Sequence, residues 1–292
     1  MGGGRRGRER EQERERWLDE QYDNRRRVPE HPAIFERWAR RSADARERLS
    51  RRLDVRYGPG PRQCLDVFPA TKRNAPVLLF IHGGYWRSFD KSLQSFVAPA
   101  FVEAGAMVVV PTYDLCPQVR VQAIAMQMVD AVAWTVRHAA LYGGDASRLV
   151  VAGHSAGGHL AAMLLACDWT QLGLAAGTLR SALAVSGLFD LETIAKTPML
   201  QRDLQLASPW TKRLSPVRFP APAGRLLALV GSEESAEYHR QNESIRQAWG
   251  RDAVPVCESL PGCDHFTALD SLAVPGGRAH GLALQLLGLV RA

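Results

Sequence analysis

The stretch Leu149–Leu160 constrains the fold of this chain more than any other feature of the sequence. It begins as an uninterrupted apolar run typical of a buried strand, stops at Gly153, and continues as a helical pattern from Ala156. Ser155 lies at the corner, inside the Gly-x-Ser-x-Gly pattern of a nucleophile elbow. Only glycine tolerates the close backbone approaches of so tight a turn. The stretch therefore predicts a strand–turn–helix unit that presents the Ser155 hydroxyl above the edge of a sheet.

The rest of the chain decides whether this turn belongs to an enzyme or to an α/β protein without chemistry. Apolar runs typical of buried strands alternate with helical patterns, which predicts a mostly parallel, doubly wound sheet. About eight strands are predicted, at residues 53–57, 63–68, 76–81, 106–111, 148–152, 181–186, 226–230 and 254–260. The first two are expected to pair as an antiparallel hairpin at the sheet edge. Residues 189–222 have no strong period and several prolines, so a small helical excursion over the sheet is predicted there.

The charge of the chain is concentrated at its N-terminus. Residues 1–52 hold 16 Arg against 11 Asp and Glu, a net +5 of the total +7, which leaves the remainder close to neutral. Alternating Arg and Glu are typical of a solvated segment rather than of a phosphate-binding face. Residues 1–16 are expected to be a disordered charged tail, 17–52 a helical arm that presses Trp17, Phe35 and Trp38 onto the body, and 53–292 the main domain. Nucleic-acid binding is not expected.

The sequence gives no support to several other classes of protein. No apolar run approaches the roughly 18 residues of a membrane helix, and no secretory signal is recognisable at the start. The five cysteines are scattered and odd in number, which favours reduced thiols in a cytoplasm. The common zinc-ligand and nucleotide-binding motifs are missing from the sequence, so neither a metal nor a cofactor is expected.

A serine nucleophile needs a base, and the base needs an acid that holds its tautomer. His265 follows the last predicted strand and is the expected base, whereas His82, His154 and His159 are interpreted as bracing or packing residues. The acid is expected between Ser155 and His265 and after a strand. Glu234 fits this position best, and Glu233 is the alternative. Asp190 is a lesser candidate, and Asp264 adjoins His265 too closely to orient it.

A second glycine turn follows the predicted strand at residues 76–81. Consecutive glycines let backbone N–H groups approach a developing oxyanion, so the N–H groups of Gly83, Gly84 and Ala156 are the expected oxyanion hole. The aromatic side chains that follow, Tyr85 and Trp86, either face the substrate or pack into the core.

Several segments together resemble the kynurenine formamidase (arylformamidase) family of α/β-hydrolases, in particular its bacterial members. They are Tyr22-Asp-Asn-Arg-Arg-Arg-Val-Pro-Glu-His-Pro32, His82-Gly-Gly-Tyr-Trp86, Tyr113-Asp-Leu-Cys-Pro117, Gly153-His-Ser-Ala-Gly-Gly-His-Leu-Ala161, Ser186-Gly-Leu-Phe-Asp-Leu191, Ser235-Ala-Glu-Tyr-His-Arg-Gln241 and Asp264-His-Phe266. The glycine turn and the elbow are shared with wider esterase families, whereas the segments at 113–117 and 235–241 are more particular to this one.

The resemblance implies an α/β-hydrolase fold, with Ser155 as nucleophile and His265 as base. It places the family's acid, an aspartate, on Glu234, which is a departure from the pattern. It further implies hydrolysis of an N-formyl arylamine such as N-formyl-L-kynurenine to kynurenine and formate, through a formyl-serine intermediate. The resemblance also leads us to expect that the chain forms a homodimer. The alternatives are a promiscuous short-acyl carboxylesterase with the same triad and a non-catalytic hydrolase-like binding protein.

Overall fold

One eight-stranded sheet forms the centre of the molecule. The structure is a computed structural model that describes the backbone of residues 3–290 and the side chains of residues 7–290. The strands are β1 Arg52–Arg56, β2 Cys64–Phe68, β3 Ala75–Ile81, β4 Met107–Pro111, β5 Gly144–His154, β6 Ser181–Val185, β7 Arg225–Gly231 and β8 Val256–Leu260. Their order in the sheet is β1-β2-β4-β3-β5-β6-β7-β8. β1 and β2 form the antiparallel edge, and all pairings from β4 to β8 are parallel. The predicted α/β-hydrolase fold, with its edge hairpin, is confirmed.

Thirteen α-helices lie around the sheet in the described part of the chain. They are α1 Gly3–Tyr22, α2 Asn24–Arg27, α3 His31–Arg48, α4 Lys91–Gln94, α5 Ala98–Glu103, α6 Val121–His138, α7 Ala156–Leu165, α8 Leu191–Ile194, α9 Pro198–Leu204, α10 Trp210–Arg213, α11 Ala236–Ala253, α12 Thr267–Ala273 and α13 Arg278–Leu286. The short helices α8, α9 and α10 make up the predicted excursion. Among residues 3–290, none of the helices combines the length and the apolar character that crossing a bilayer requires.

Two hydrophobic cores pack against the two faces of the sheet. In β3, Val77 and Leu79 belong to one core, while Leu78 and Phe80 belong to the other. This alternation follows from the strand geometry, because successive side chains point to opposite faces. The first core is shared with α6, α7, the excursion and α11, and the second with α3, α5, α12 and α13. The sheet is therefore covered on both sides, as its continuous apolar strands require.

The N-terminal arm crosses from one core to the other. Leu18 and Tyr22 of α1 are buried in the first core, and Trp38 of α3 is buried in the second, stacked on Phe96 at a centroid distance of 5.3 Å. Trp17, in contrast, remains 43% exposed. The arm thus docks through Leu18 and Tyr22 rather than through Trp17, and its short helix α2 lies at the carboxyl edge of the sheet between the two cores.

The expected disorder of residues 1–16 differs from the structure, in which α1 begins at Gly3. Residues 1–2 lie outside the described residues. Arg and Glu are good helix formers, and their alternation places opposite charges three residues apart on the helix surface. The solvated character inferred from the sequence is compatible with this helix, because side chains 7–14 are all exposed.

Candidate active site

The nucleophile elbow is built as the sequence predicts, with β5 ending at His154 and α7 beginning at Ala156. Ser155 has a φ of 55°, in a region that non-glycine residues rarely adopt. A Cβ atom on Gly153 would lie 2.1 Å from the Gly157 carbonyl oxygen, and one on Gly157 would lie 2.0 Å from the Ile81 carbonyl oxygen. Both positions therefore require glycine. The turn also leaves the N–H of Ala156 without an acceptor inside its own helix, because it belongs to the first turn.

Glu234 and His265 meet at the carboxyl ends of β7 and β8. His265 Nδ1 lies 2.7 Å from Glu234 Oε2. The other carboxylate oxygen, Oε1, accepts from the Gly231 N–H at 2.7 Å and from the Ser186 hydroxyl at 2.5 Å. Since the carboxylate accepts a hydrogen bond from the Nδ1–H group, the neutral imidazole has its free lone pair at Nε2. This is the tautomer that can take a proton from a serine.

The other acid candidates have different partners. The Glu233 side chain is exposed. Asp190 caps α8 and pairs with Arg240 at 3.1 Å, and Asp264 accepts from the N–H groups of residues 266 and 267. Among these carboxylates, the hydrogen bond to His265 is made by Glu234.

The three histidines that were interpreted as bracing or packing residues are buried and hydrogen-bonded to backbone carbonyls. His154 Nε2 lies 2.8 Å from the carbonyl oxygen of His265, which fixes the loop that carries the base. His159 Nε2 lies 2.7 Å from the Leu214 carbonyl oxygen, and His82 Nδ1 lies 2.8 Å from that of Gly83. Burial lowers the pKa of His154 to about 3 and the pKa values of His82 and His159 to about 4. These rings are neutral braces, as the sequence interpretation proposed.

The loop after β3 lies against the nucleophile. A Cβ on Gly83 would be 3.2 Å from Ser155 Cβ, and Gly84 has a φ of 102°. The Tyr113 hydroxyl lies 3.0 Å from the His82 carbonyl oxygen and 3.2 Å from that of Gly83. Because a trans peptide directs its N–H opposite to its carbonyl, the N–H groups of Gly83 and Gly84 point away from Tyr113. They remain available to a ligand on the other side.

A cavity of about 300 Å³ opens over Ser155 and His265. Its walls come from the arm, the loop after β3, the excursion and the loop after β8. The lining residues include Tyr22, Asp23, Asn24, Arg25, Gly84, Tyr85, Arg87, Ser88, Phe89, His154, Ser155, Met199, Asp203, His265 and Phe266. Within the described part of the chain, no group of three His, Cys, Asp or Glu side chains is arranged to hold a metal ion.

The two aromatic residues after the diglycine have different positions. Tyr85 lines the cavity, but Trp86 is fully buried, with its ring edge-on to His159 at 5.0 Å. The substrate-facing alternative for Trp86 is thereby corrected: it packs in the core, because the left-handed backbone at residues 85 and 86 turns the chain inward.

Three residues around the catalytic groups, Asn24, Ser186 and Tyr238, were not foreseen as site residues. Ser186 follows β6 directly, and this position at a strand end could have indicated a residue of the site. Asn24 and Tyr238 belong to segments that carry the family resemblance, but no local pattern assigns them to the site, which they reach through the packing of the arm and of α11. The Tyr238 ring lies 4.6 Å from the His265 ring.

Comparison with known proteins agrees with this geometry. The BD-FAE family model matches residues 65–177. Kynurenine formamidase from Danio rerio is 29% identical over 245 residues, which cover 81% of this chain and 82% of the relative. The crystal structure of a candidate thioesterase from Silicibacter sp. TM1040 superposes with a TM-score of 0.81 at 30% identity, covering 94% of this chain and 99% of that one.

The carboxylesterase EstE1, cloned from a metagenomic library, shares the fold with a TM-score of 0.70 at 17% identity, over 89% of this chain and 96% of that one. Together with the elbow, the glycine loop and the Glu–His pair, these likenesses identify a hydrolase. The chain belongs to the kynurenine formamidase family of α/β-hydrolases.

Proposed function

We propose that this enzyme cleaves the formamide bond of an N-formyl arylamine, with N-formyl-L-kynurenine as the leading substrate. The observation that carries the proposal is the Glu234–His265 pair, joined at 2.7 Å, on a cavity that the elbow serine also lines. The likeness to the Danio rerio kynurenine formamidase over four fifths of both chains supports the choice of substrate.

The proposed reaction is acyl transfer through Ser155. Its Oγ forms a bond to the formyl carbon while its proton moves to His265 Nε2, and Glu234 stabilises the resulting imidazolium. The oxyanion accepts hydrogen bonds from the N–H groups of Gly83, Gly84 and Ala156. The carbon–nitrogen bond then breaks as His265 gives its proton to the departing arylamine. Water attacks the formyl-serine by the reverse proton path and releases formate.

The walls of the cavity support an aromatic amino-acid substrate. Phe89, Phe266 and the Tyr85 ring offer apolar surface to an aryl group. Asp23 and Arg25, on the arm, place one charge of each sign on the same cavity. An α-amino acid carries an ammonium and a carboxylate, so both of its charges find a partner of opposite sign. Formyl is the smallest acyl group, and it needs no further acyl pocket.

The proposal is tested by steady-state turnover of N-formyl-L-kynurenine and of p-nitrophenyl acetate, side by side. We expect kcat/KM to favour the formamide by tenfold or more, although its carbonyl is less reactive than that of the activated ester. Ser155→Ala is the control, and it should abolish both activities. If only the ester turns over, the carboxylesterase alternative replaces the formamidase. If Ser155→Ala retains either activity, the acyl-serine mechanism is wrong.

We further propose a cytoplasmic location. The five cysteines are free thiols in the structure, which suits a reducing compartment. Fractionation of cells that express the full chain tests this, and recovery of the enzyme outside the cytoplasm would contradict it.

A further inference from the structure

An ion pair that the proposed mechanism does not use lies on the wall of the active-site cavity. Arg87 belongs to the loop after β3, and Asp203 belongs to α9 of the excursion. Arg87 Nη1 donates to Asp203 Oδ2 at 2.6 Å and to the Met199 carbonyl oxygen at 2.9 Å. Both ionic side chains line the same cavity as Ser155 and His265. The pair therefore joins two walls of the cavity.

Each member of this pair has hydrogen-bonding groups that the protein does not use. A guanidinium has five N–H donors, and those on Arg87 Nε and Nη2 have no acceptor among residues 7–290. Asp203 Oδ1 lies 3.8 Å from Arg202 Nε, which is beyond hydrogen-bonding distance. The Arg87 and Asp203 side chains are 27% and 28% exposed, so these groups are partly shielded from solvent and still accessible. The pair thus offers a donor edge beside an acceptor oxygen.

The pair is held in place by the arm as well as by the excursion. The Met199 N–H, in the first turn of α9, donates to Asp19 Oδ1 at 3.0 Å. N–H groups of a first turn lack an acceptor inside their own helix, so this carboxylate of the arm caps α9. Arg87 is in turn bonded to the Met199 carbonyl. Side chains that are ordered beforehand lose less conformational entropy when they bind a ligand.

The pair lies one tight turn away from the proposed oxyanion hole. The Arg87 N–H donates to the Gly84 carbonyl oxygen at 3.0 Å, which closes a four-residue turn. The Cα atoms at the two ends of such a turn lie less than about 7 Å apart. The Gly84 N–H is one of the proposed oxyanion donors, so the formamide of the substrate binds at one end of this turn. The long side chain of Arg87, at the other end, can then contact a substituent of the aryl ring.

We propose that Arg87 and Asp203 determine the specificity of the enzyme by binding the amino-acid head group of the substrate. The head-group carboxylate accepts from Arg87 Nε and Nη2, because two parallel N–H groups match the geometry of a carboxylate. The head-group ammonium donates to Asp203 Oδ1. This inference deepens the proposed formamidase function and rests on it.

Asp23 and Arg25 place the same two charges on the cavity but are less suited to this task. Asp23 Oδ1 already accepts from the Arg26 N–H at 3.1 Å as the cap of α2. The Arg25 guanidinium lies 5.8 Å from the centre of the Phe35 ring, on an exposed side chain. Exposed ionic groups contribute little binding free energy, because water competes for them and salt screens them. The partly shielded pair therefore binds the head group more strongly.

The test compares two substrates that share the formamide. N-formyl-L-kynurenine has the amino-acid head group, whereas 2-formamidoacetophenone keeps the aryl ketone and lacks the head group. The readout is the ratio of their kcat/KM values, because a general defect in folding or catalysis lowers both values together. In the parent enzyme we expect a ratio of about 30 or more in favour of N-formyl-L-kynurenine. If neither compound is hydrolysed, the formamidase proposal itself fails. If both are hydrolysed with a ratio below about 3, the formamidase proposal stands and this inference is overturned.

We expect Arg87→Met to lower this ratio by about tenfold or more, mainly through a higher KM for N-formyl-L-kynurenine, because the lost contacts bind ground state and transition state alike. Asp203→Asn should lower the ratio by about fivefold or more, because an amide has no charge to attract the ammonium. Arg218→Met is the matched control. Arg218 pairs with Glu192 at 2.9 Å in the same excursion and does not line the cavity, so its loss should leave the ratio within about twofold of the parent.

Two results would overturn the inference. If Arg87→Met or Asp203→Asn keeps the ratio within about threefold of the parent, the pair only fastens the excursion to the loop after β3. If Arg25→Met lowers the ratio more than Arg87→Met does, the head group binds at the arm instead. If Arg87→Met does not fold, the ratio of the parent enzyme and that of Asp203→Asn decide by the same limits.

Discussion

The replacement of Glu234 by glutamine tests the proposed triad most directly, because it keeps the shape of the side chain and removes its charge. The carboxylate accepts three hydrogen bonds, two at Oε1 and one at Oε2. An amide must place its NH₂ group at one of these positions. At Oε1 it would face the Gly231 N–H, which cannot rotate away. At Oε2 it would face His265, which can change its tautomer.

The second orientation is therefore the favourable one, and it places the imidazole proton on Nε2. His265 then presents a donor to Ser155 and cannot act as a base. The imidazolium that forms during the reaction also loses its buried counter-charge. For a triad that loses its acid in this way, the expected fall in kcat is about 10³- to 10⁴-fold, or about 4–5.5 kcal/mol of transition-state stabilisation.

Glu233→Gln is the matched control, because the same change is made one residue earlier on an exposed side chain. Its kcat/KM should stay within twofold of the parent enzyme. Turnover of N-formyl-L-kynurenine and of p-nitrophenyl acetate should fall together in Glu234→Gln, while thermal unfolding shows that the protein is folded. If Glu234→Gln keeps more than a tenth of the activity, the assignment of the acid is refuted. If Glu233→Gln shows the large loss instead, the acid is Glu233.

Two other predictions concern the oxyanion loop and the buried histidines. Gly83→Ala should lower kcat by at least tenfold. The new Cβ would lie 3.0 Å from the His154 carbonyl oxygen and 3.2 Å from Ser155 Cβ, so it would push the nucleophile aside. An unchanged kcat in a steady-state assay would contradict this reasoning. The free energy of unfolding should decrease as the pH falls from about 6.5 towards 4, because the unfolded chain takes up protons that the neutral, buried rings of His82, His154 and His159 refuse. Each ring is expected to change the free energy of unfolding by about 1.4 kcal/mol per pH unit. Urea unfolding across this pH range should therefore show a shallower pH dependence for His159→Gln than for the parent.

The parts of the site that the sequence predicted are those encoded within a few residues of a strand end. The Ser155 turn, the diglycine after β3 and His265 after β8 each combine a buried apolar run with a polar or glycine residue directly behind it. Because parallel strands bring their carboxyl ends to one edge, these local patterns were enough to predict a common location. Glu234 was preferred over Glu233 from its position after a predicted strand, and the family resemblance points to the same residue. The structure joins Glu234 to His265, and Ser186 and Gly231 hold its other oxygen.

Trp86 and residues 3–16 show where local patterns are insufficient. The sequence left Trp86 open between the cavity and the core, since the choice depends on backbone torsion angles of 49° and 53° at residues 85 and 86. The charged N-terminal segment has the composition of a disordered tail and also the propensity of a helix. Its low apolar content could not distinguish the two states.

The hydrogen bonds that join Asn24, Tyr85 and Tyr238 could not be inferred from the sequence for a different reason. They connect residues 61, 153 and 214 positions apart, so no local pattern links them. Ordering the arm has an entropic cost that must be offset by contacts elsewhere. Leu18 and Trp38 provide these by burial in the two cores, and they leave Asn24 free to orient the phenols. This separation of tasks explains how an arm with few apolar residues forms part of an active site. A few buried side chains hold it across the sheet edge, and the short polar segment between them faces the chemistry.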